Sequence, residues 1–182
     1  MKRVLISLLV LISSFLLLSC RSKPAPVLPK LEFAYEKGAV LLHLKADPRL
    51  NIYQGTPHTL SLCIYQLRDP NGFNQLAGDQ NGLYKLLECS RFDGTVAMAT
   101  RLDVQPGQEF NQVLDRAEGA EYVGLVGGYF ALEKERILRL FQVPIVTEKV
   151  GFLFPDTISK IGVLKIDLFL GPEGIQEVGG KT

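Results

Sequence analysis

The sequence predicts a mostly β, two-sheet β-sandwich with a small helical insertion. Three observations predict it. Apolar and polar residues alternate with period two in several short runs. Turn signals built on Gly, Pro, Asn and Asp separate those runs at spacings of roughly 8–15 residues. Only one stretch carries the i, i+3, i+4 apolar spacing of a helix.

Taken in order, Phe33 and Tyr35 alternate with small or polar residues until Glu36-Lys37-Gly38 breaks the run. Val40, Leu42 and Leu44 then alternate with Leu41, His43 and Lys45, a half-buried strand that Asp47-Pro48 ends. A loop runs through Asn51, Gly55 and Pro57 to His58. Residues 60–67 form the next strand, with Leu60, Leu62 and Ile64 on one face and Cys63, Tyr65 and Leu67 on the other. Asp69-Pro70-Asn71-Gly72 turns the chain. Phe73 and Leu76 make a first short helical turn. Leu83, Leu86 and Leu87 share one face of a second, with Asp79 as its N-cap and an end expected near Ser90. The insertion thus covers about residues 71–90, between the second and third strands.

Beyond it the chain reads as strands and turns. Residues 100–104 alternate, Gln105-Pro106-Gly107-Gln108 is a turn, and residues 109–114 form a further strand before Ala117-Glu118-Gly119. Residues 122–130 are mostly apolar, with Gly124, Gly127 and Gly128 as close-packing points or a bulge. Glu133-Lys134-Glu135-Arg136 reads as a solvated β-turn. A strand is expected over 137–146, where Pro144 argues for an edge or a bulge, and another over 161–170 before a turn at 171–174.

The N-terminus is of a different kind. Lys2 and Arg3 precede residues 4–18, which are apolar except for Ser7, Ser13 and Ser14. That run falls short of the roughly 20 residues a spanning helix needs and fits the core of a secretory signal. It ends in Leu17-Leu18-Ser19-Cys20, the pattern of a lipoprotein signal, in which the Cys20 sulfur carries a thioether-linked diacylglycerol. Two or more acyl chains give stable anchoring where one is marginal. Arg21, in place of aspartate, points to the outer membrane and its periplasmic face. The expected organisation is a signal peptide over 1–19, a lipidated, Pro-rich tether over 20–30, and a sandwich domain over 31–182.

Loss of Lys2 and Arg3 with the signal leaves 18 Lys and Arg against 19 Asp and Glu, a balance that gives no footprint for nucleic acid. Cys63 and Cys89 remain. In an oxidising envelope the pair reads as a disulfide rather than a metal site, although each alone could be a buried thiol. No catalytic constellation stands out. His43 and His58 lie in no ligand spacing, and no Gly-x-Ser-x-Gly elbow occurs. Gly124-Leu125-Val126-Gly127-Gly128 lacks the lysine and the helix of a phosphate loop. We therefore expect no enzyme, no metal and no cofactor. Recognition by surface remains. The loop from Asp47 to His58 carries Leu50, Ile52 and Tyr53, which either form an exposed binding patch or fold back to cap the core.

Several segments in this order resemble one family. They are Ala46-Asp47-Pro48-Arg49-Leu50-Asn51, then Ile64-Tyr65-Gln66-Leu67 followed by Asp69 and Phe73, then the helix over 83–87, then Arg101 to Pro106-Gly107-Gln108, and last Glu121-Tyr122-Val123-Gly124-Leu125-Val126-Gly127-Gly128-Tyr129-Phe130. Together they resemble the TssJ (SciN/VasD) family of type VI secretion outer-membrane lipoproteins across nearly all of residues 39–175. The resemblance implies a transthyretin-like sandwich with an added helical piece. It also implies binding to the periplasmic C-terminal domain of the inner-membrane protein TssM, in an envelope complex with TssL. In the family the loop after the first strand makes that contact. Here it places the partner contact at Leu50, Asn51, Ile52, Tyr53, Gln54 and His58, although residues 52–58 depart from better-known members. The Cys63–Cys89 pair is not general in the family. The alternative reading is an accessory lipoprotein that binds glycan or a small molecule, which predicts a deep pocket with convergent polar groups.

Overall fold

The structure is a computed structural model and describes residues 31–151 and 156–177. The signal segment, Cys20 and the tether lie outside those residues. The elements are β1 (Glu36–Ala46), β2 (Leu60–Leu67), α1 (Asn71–Leu76), α2 (Gln80–Leu86), β3 (Val96–Val104), β4 (Glu109–Arg116), β5 (Tyr122–Gly127), α3 (Lys134–Ile137), β6 (Leu138–Gln142), β7 (Ile145–Val150), β8 (Asp156–Ile161), β9 (Leu164–Leu170) and β10 (Ile175–Glu177). One sheet has the order β10-β9-β1-β4 and a second has the order β3-β2-β5-β6, while β7 and β8 pair only with each other. The fold is the mostly β sandwich with few helices that the alternation predicts.

The core lies between the two four-stranded sheets. Val40, Leu42, Leu44 and Ala46 of β1 face it, as do Leu164, Ile166, Leu168 and Leu170 of β9. From β2 come Leu60, Leu62 and Ile64. Gln66 also points inward, and its amide is satisfied on both sides: it donates to the Asp115 carbonyl at 2.8 Å and accepts from the Ala117 N–H at 2.7 Å. A buried amide is tolerated when it is paired in this way.

The helical insertion explains why β2 is buried on both faces. Asp79 caps α2 by accepting from the Gly82 N–H at 2.9 Å. α1 and α2 then cover the outer face of the second sheet with Phe73, Leu83 and Leu86. α2 ends at Leu86, short of Ser90, and Cys89 takes a φ of 53°, which no helix can continue through. Cys89 is joined to Cys63 of β2, with Cα atoms 5.0 Å apart across 26 residues of sequence. On the chain-entropy account such a link contributes about 3 kcal/mol by restricting the unfolded chain.

Phe73 sits directly above Gly124 of β5, where a β-carbon would lie 2.7 Å from the ring. Gly124→Ala is therefore expected to force Phe73 out of place and cost about 1–3 kcal/mol; an unchanged urea midpoint would contradict that packing. Tyr65 stands beside Phe73, with ring centroids 5.8 Å apart, and donates its hydroxyl to the Leu86 carbonyl at 2.5 Å. Burial pushes the Tyr65 hydroxyl from 10.0 up to about 12. Burial also holds Tyr129 well above the usual tyrosine range. A raised tyrosine pKa means the folded state keeps a proton that the unfolded state has released. The tyrosines' contribution to stability is thus constant below pH 10 and falls as pH rises from about 10 toward 12, by up to roughly 1.4 kcal/mol per unit per tyrosine. Thermal melts across that window check this; a flat melting temperature would contradict it.

Three expected elements differ. The strand expected over 161–170 is shorter, since Ile161 ends β8 and β9 starts at Leu164. The charge run at 133–136 feeds a short helical turn, α3, instead of a β-turn. The expected strand over 137–146 is broken, because Pro144 has no N–H to extend the ladder: the Val143 N–H makes the last bond, to the Glu121 carbonyl at 2.8 Å. The chain then leaves the sandwich as the β7–β8 hairpin, with Ile145 opposite Ile161 at its base.

The sandwich has two distinct poles. The entry pole gathers Leu31, the turn after β4, and the base of the β7–β8 hairpin. There the Gly119 N–H donates to the Phe33 carbonyl at 2.6 Å, and Arg116 donates to the Ala34 carbonyl at 3.1 Å. Tyr35 donates to Asp115 at 2.5 Å, which holds that carboxylate below its usual range. At the opposite pole lie the β1–β2 loop, the chain after β5 and the turn between β9 and β10.

Candidate functional site

The β1–β2 loop is built from the inside out. The Asp47 N–H donates to the Leu170 carbonyl at 2.9 Å, and Asp47 caps the Arg49 N–H at 2.7 Å. Leu50 is fully buried in the core, and its carbonyl accepts from the His58 N–H at 3.0 Å. Asn51 is buried at φ 49°, donates to the Thr59 carbonyl at 3.2 Å and accepts from the Phe130 N–H at 3.1 Å. The Ile52 N–H reaches the Pro172 carbonyl at 2.9 Å. These bonds tie the loop to three neighbouring segments, so its outer part is held in place.

That outer part is a tight turn. Tyr53 and Thr56 exchange backbone hydrogen bonds of 2.9 and 3.0 Å, and the two residues between them, Gln54 and Gly55, both have positive φ (50° and 80°). Two successive positive φ values are what a two-residue hairpin turn demands. The turn presents Tyr53, 48% exposed, which stacks on Phe130, 52% exposed, with centroids 4.4 Å apart and planes 19° from parallel. His58 meets Phe130 edge-on at 5.0 Å. Gln54 is exposed and donates to the Tyr53 hydroxyl at 3.3 Å.

The six residues expected to meet a partner therefore divide. Tyr53 and Gln54 are exposed, and Ile52 and His58 are half-buried. Leu50 and Asn51 face inward and hold the loop: Leu50 is part of the core, and the Asn51 amide links two segments. Phe130 was not foreseen as part of the site. The ladder of β5 stops at Gly127, so Phe130 leaves the strand and turns toward Tyr53.

Beside the aromatic stack runs an open groove of about 390 Å³ lined by Ile52, Tyr53, Tyr129, Phe130, Arg136 and Pro172. A second, of about 510 Å³, continues it past Arg49, Arg139 and Gln176. Their polar groups do not converge on a ligand. Arg136 is paired with Glu133 and Glu173, each at 3.0 Å. Arg139 donates to the carbonyls of Glu135, Leu138 and Ile175. His43 lies on the outer face of the other sheet, 3.2 Å from both Glu109 and Asp167. Among the described residues, no group of three or more His, Cys, Asp or Glu is placed to hold a metal ion. No helix among them is long and apolar enough to cross a membrane.

The exposed stack forms an aromatic, partly apolar platform at this pole of the sandwich. The type VI secretion lipoprotein family (VasD, EvfM, TssJ) matches residues 39–161. The chain belongs to that family, a family of structural secretion lipoproteins and not of enzymes. Solved structures share the fold. TssJ1, the type VI lipoprotein of Pseudomonas aeruginosa, is 20% identical, with 82% of this chain and 98% of that one covered at a TM-score of 0.55. Serratia marcescens Lip, a membrane-bound component of the type VI secretion system, is 18% identical, with 78% and 98% covered at 0.57. A chain of the structure described as "T6SS protein TssM C-terminal domain (869-1107) from EAEC" is 14% identical, with 78% and 98% covered at 0.55. No curated protein matches the chain.

Proposed function

We propose that the chain is an outer-membrane lipoprotein that binds the periplasmic domain of TssM through the outer part of its β1–β2 loop, within a type VI membrane complex that also holds TssL. In this reading residues 1–19 are removed, Cys20 carries the lipid, residues 20–30 are the tether and residues 31–182 the domain. One observation carries it: the Tyr53–Phe130 stack is exposed, yet the loop beneath it is fixed by buried Leu50 and Asn51. A fixed aromatic pair is suited to act as an anchor, since it offers contact area with little conformational entropy to lose. The likeness to chains of type VI complexes supports the same reading. The disulfide between Cys63 and Cys89 serves stability and lies outside the contact. The test is titration of the TssM periplasmic domain with the wild-type chain and with Tyr53→Asp and Phe130→Ala variants. Loss of affinity in both supports the site; undiminished binding in both overturns it.

A further inference from the structure

Among the described residues, the β7–β8 hairpin pairs with no other strand and meets the core only through Ile161 at its base, and exposed aliphatic surface collects along it. Among the described residues, Ile145, Val146, Val150, Ile158 and Val163 are 50, 37, 51, 48 and 43% exposed. The two exposed aromatics of the loop, Tyr53 and Phe130, lie at the other pole. By the pairing of Val146 with Lys160, Glu148 with Ile158 and Val150 with Asp156, the residues Val146, Val150 and Ile158 share one face of the hairpin. On that face Ile158 sits diagonally between the two valines, within reach of both. Glu148 and Lys160 form an ion pair on the same face. An isolated two-stranded hairpin with an apolar face is marginal in water and gains from a surface that covers it.

The position of the hairpin says which surface. Its base lies at the pole where the described chain begins: the Gly162 N–H bonds the Pro144 carbonyl, and Val143 bonds Glu121 beside the turn that holds Phe33. From Leu31 back to Cys20 there are ten intervening residues, three of them proline. Even fully extended they span only about 35–40 Å. The lipid that Cys20 carries and the apolar hairpin are therefore on the same short leash, whereas the Tyr53–Phe130 loop faces the opposite way.

We infer that the β7–β8 hairpin rests its Val146–Val150–Ile158 face on the lipid surface that holds the anchor, setting the domain upright with the loop pole turned away from the membrane. This rests on the lipid-anchor reading of Cys20. The contact is interfacial: the aliphatic residues enter the boundary of headgroups and acyl chains, and the Glu148–Lys160 pair stays at headgroup level.

The absence of tryptophan from the chain gives a clean test. Ile158→Trp, and separately Val150→Trp, are placed in the full chain, which is purified from membranes and reconstituted into phosphatidylethanolamine–phosphatidylglycerol vesicles. Tyr53→Trp serves as the opposite-pole control. The expected result is blue-shifted emission, quenched by brominated lipid, at 158 and 150 but not at 53. Adding Val146→Asp to Ile158→Trp should remove the quenching while the protein still floats with the vesicles. Absence of quenching at both 158 and 150 overturns the inference. So does quenching relief or a blue shift that appears only when the TssM periplasmic domain is added, which would make the face a protein contact. Mass spectrometry of the same sample reads the anchor separately: acylated protein with unquenched tryptophan defeats the hairpin contact alone, and protein without acyl chains defeats the anchor reading.

Discussion

Replacing Leu50 by aspartate is expected to unfold the domain, whereas replacing Tyr53 by aspartate is expected to leave it folded and abolish partner binding. The two residues are three positions apart in one loop, yet one is fully buried and the other is 48% exposed. An unpaired carboxylate at Leu50 would sit in the core, a change costing about 4 kcal/mol or more of a total that is typically about 5–15. Leu50→Ala, which leaves a cavity and no charge, is expected to cost about 2–5 kcal/mol. Tyr53→Asp loses its stack on Phe130, about 0.5–1.5 kcal/mol, together with the exposed hydrogen bond from Gln54 and the edge contact with His58. As an interface anchor, however, Tyr53 is expected to contribute 2–4 kcal/mol to binding, a drop in affinity of roughly 30- to 1,000-fold. Thermal melts separate the first effect and titration with the TssM periplasmic domain the second. A folded Tyr53→Asp variant with wild-type affinity would remove the loop from the interface.

Cys20→Ser is expected to produce a protein that folds and binds normally but no longer supports assembly. None of the interactions described for the domain involves Cys20, so its stability and its affinity in solution should not change. Its attachment should. A single acyl chain gives marginal, reversible membrane binding and a second makes it stable, so losing all of them releases the chain from the membrane fraction. The domain would then reach a membrane-held partner only from bulk solution, without the high effective concentration that tethering supplies. Fractionation reports the first loss and a secretion assay the second. Secretion that persists in the soluble variant would rule out anchoring as half of the function.

Much of this was legible in the sequence, and what was not has physical causes. Leu60–Leu67 is a strand with the bounds its alternation marks. The alternation does not show that both faces are covered, since that depends on α1 and α2 folding back over Cys63, Tyr65 and Leu67. The cap at Asp79 was readable because it is local: a side chain bonding a backbone three residues ahead. Phe130 was not, because it ends an apolar run and only the end of the ladder at Gly127 turns it out of the sheet. The placing of Asn51 depends on Phe130, 79 residues along the chain, and the loop is held at Asp47 by Leu170 of β9, which alternation within the loop does not reveal. The β7–β8 hairpin was hidden for a different reason. Period-two alternation arises where one face meets a core, and here β7 is exposed along its whole length while Ile161 alone, at the base of β8, packs against the core.

β1 runs from the pole where the chain enters, through an irregularity between Glu36 and Val40, to the loop at the other end, and from Val40 onward it is flanked on both sides. Residues 40–46 pair in parallel with β9, and residues 40–45 pair antiparallel with β4. If one end is held by lipid and the other by a partner, any pull between two membranes is applied along the strand axis. The load then passes along the covalent backbone of β1, which is already extended between the two attachment points, so neither ladder has to open for the domain to bear it. The domain is thereby arranged as a tension-bearing link. Stretching it between residue 20 and residue 53 is expected to require markedly higher rupture force than pulling β10 away from β9 at the sheet edge. Equal forces in the two geometries would deny it that role.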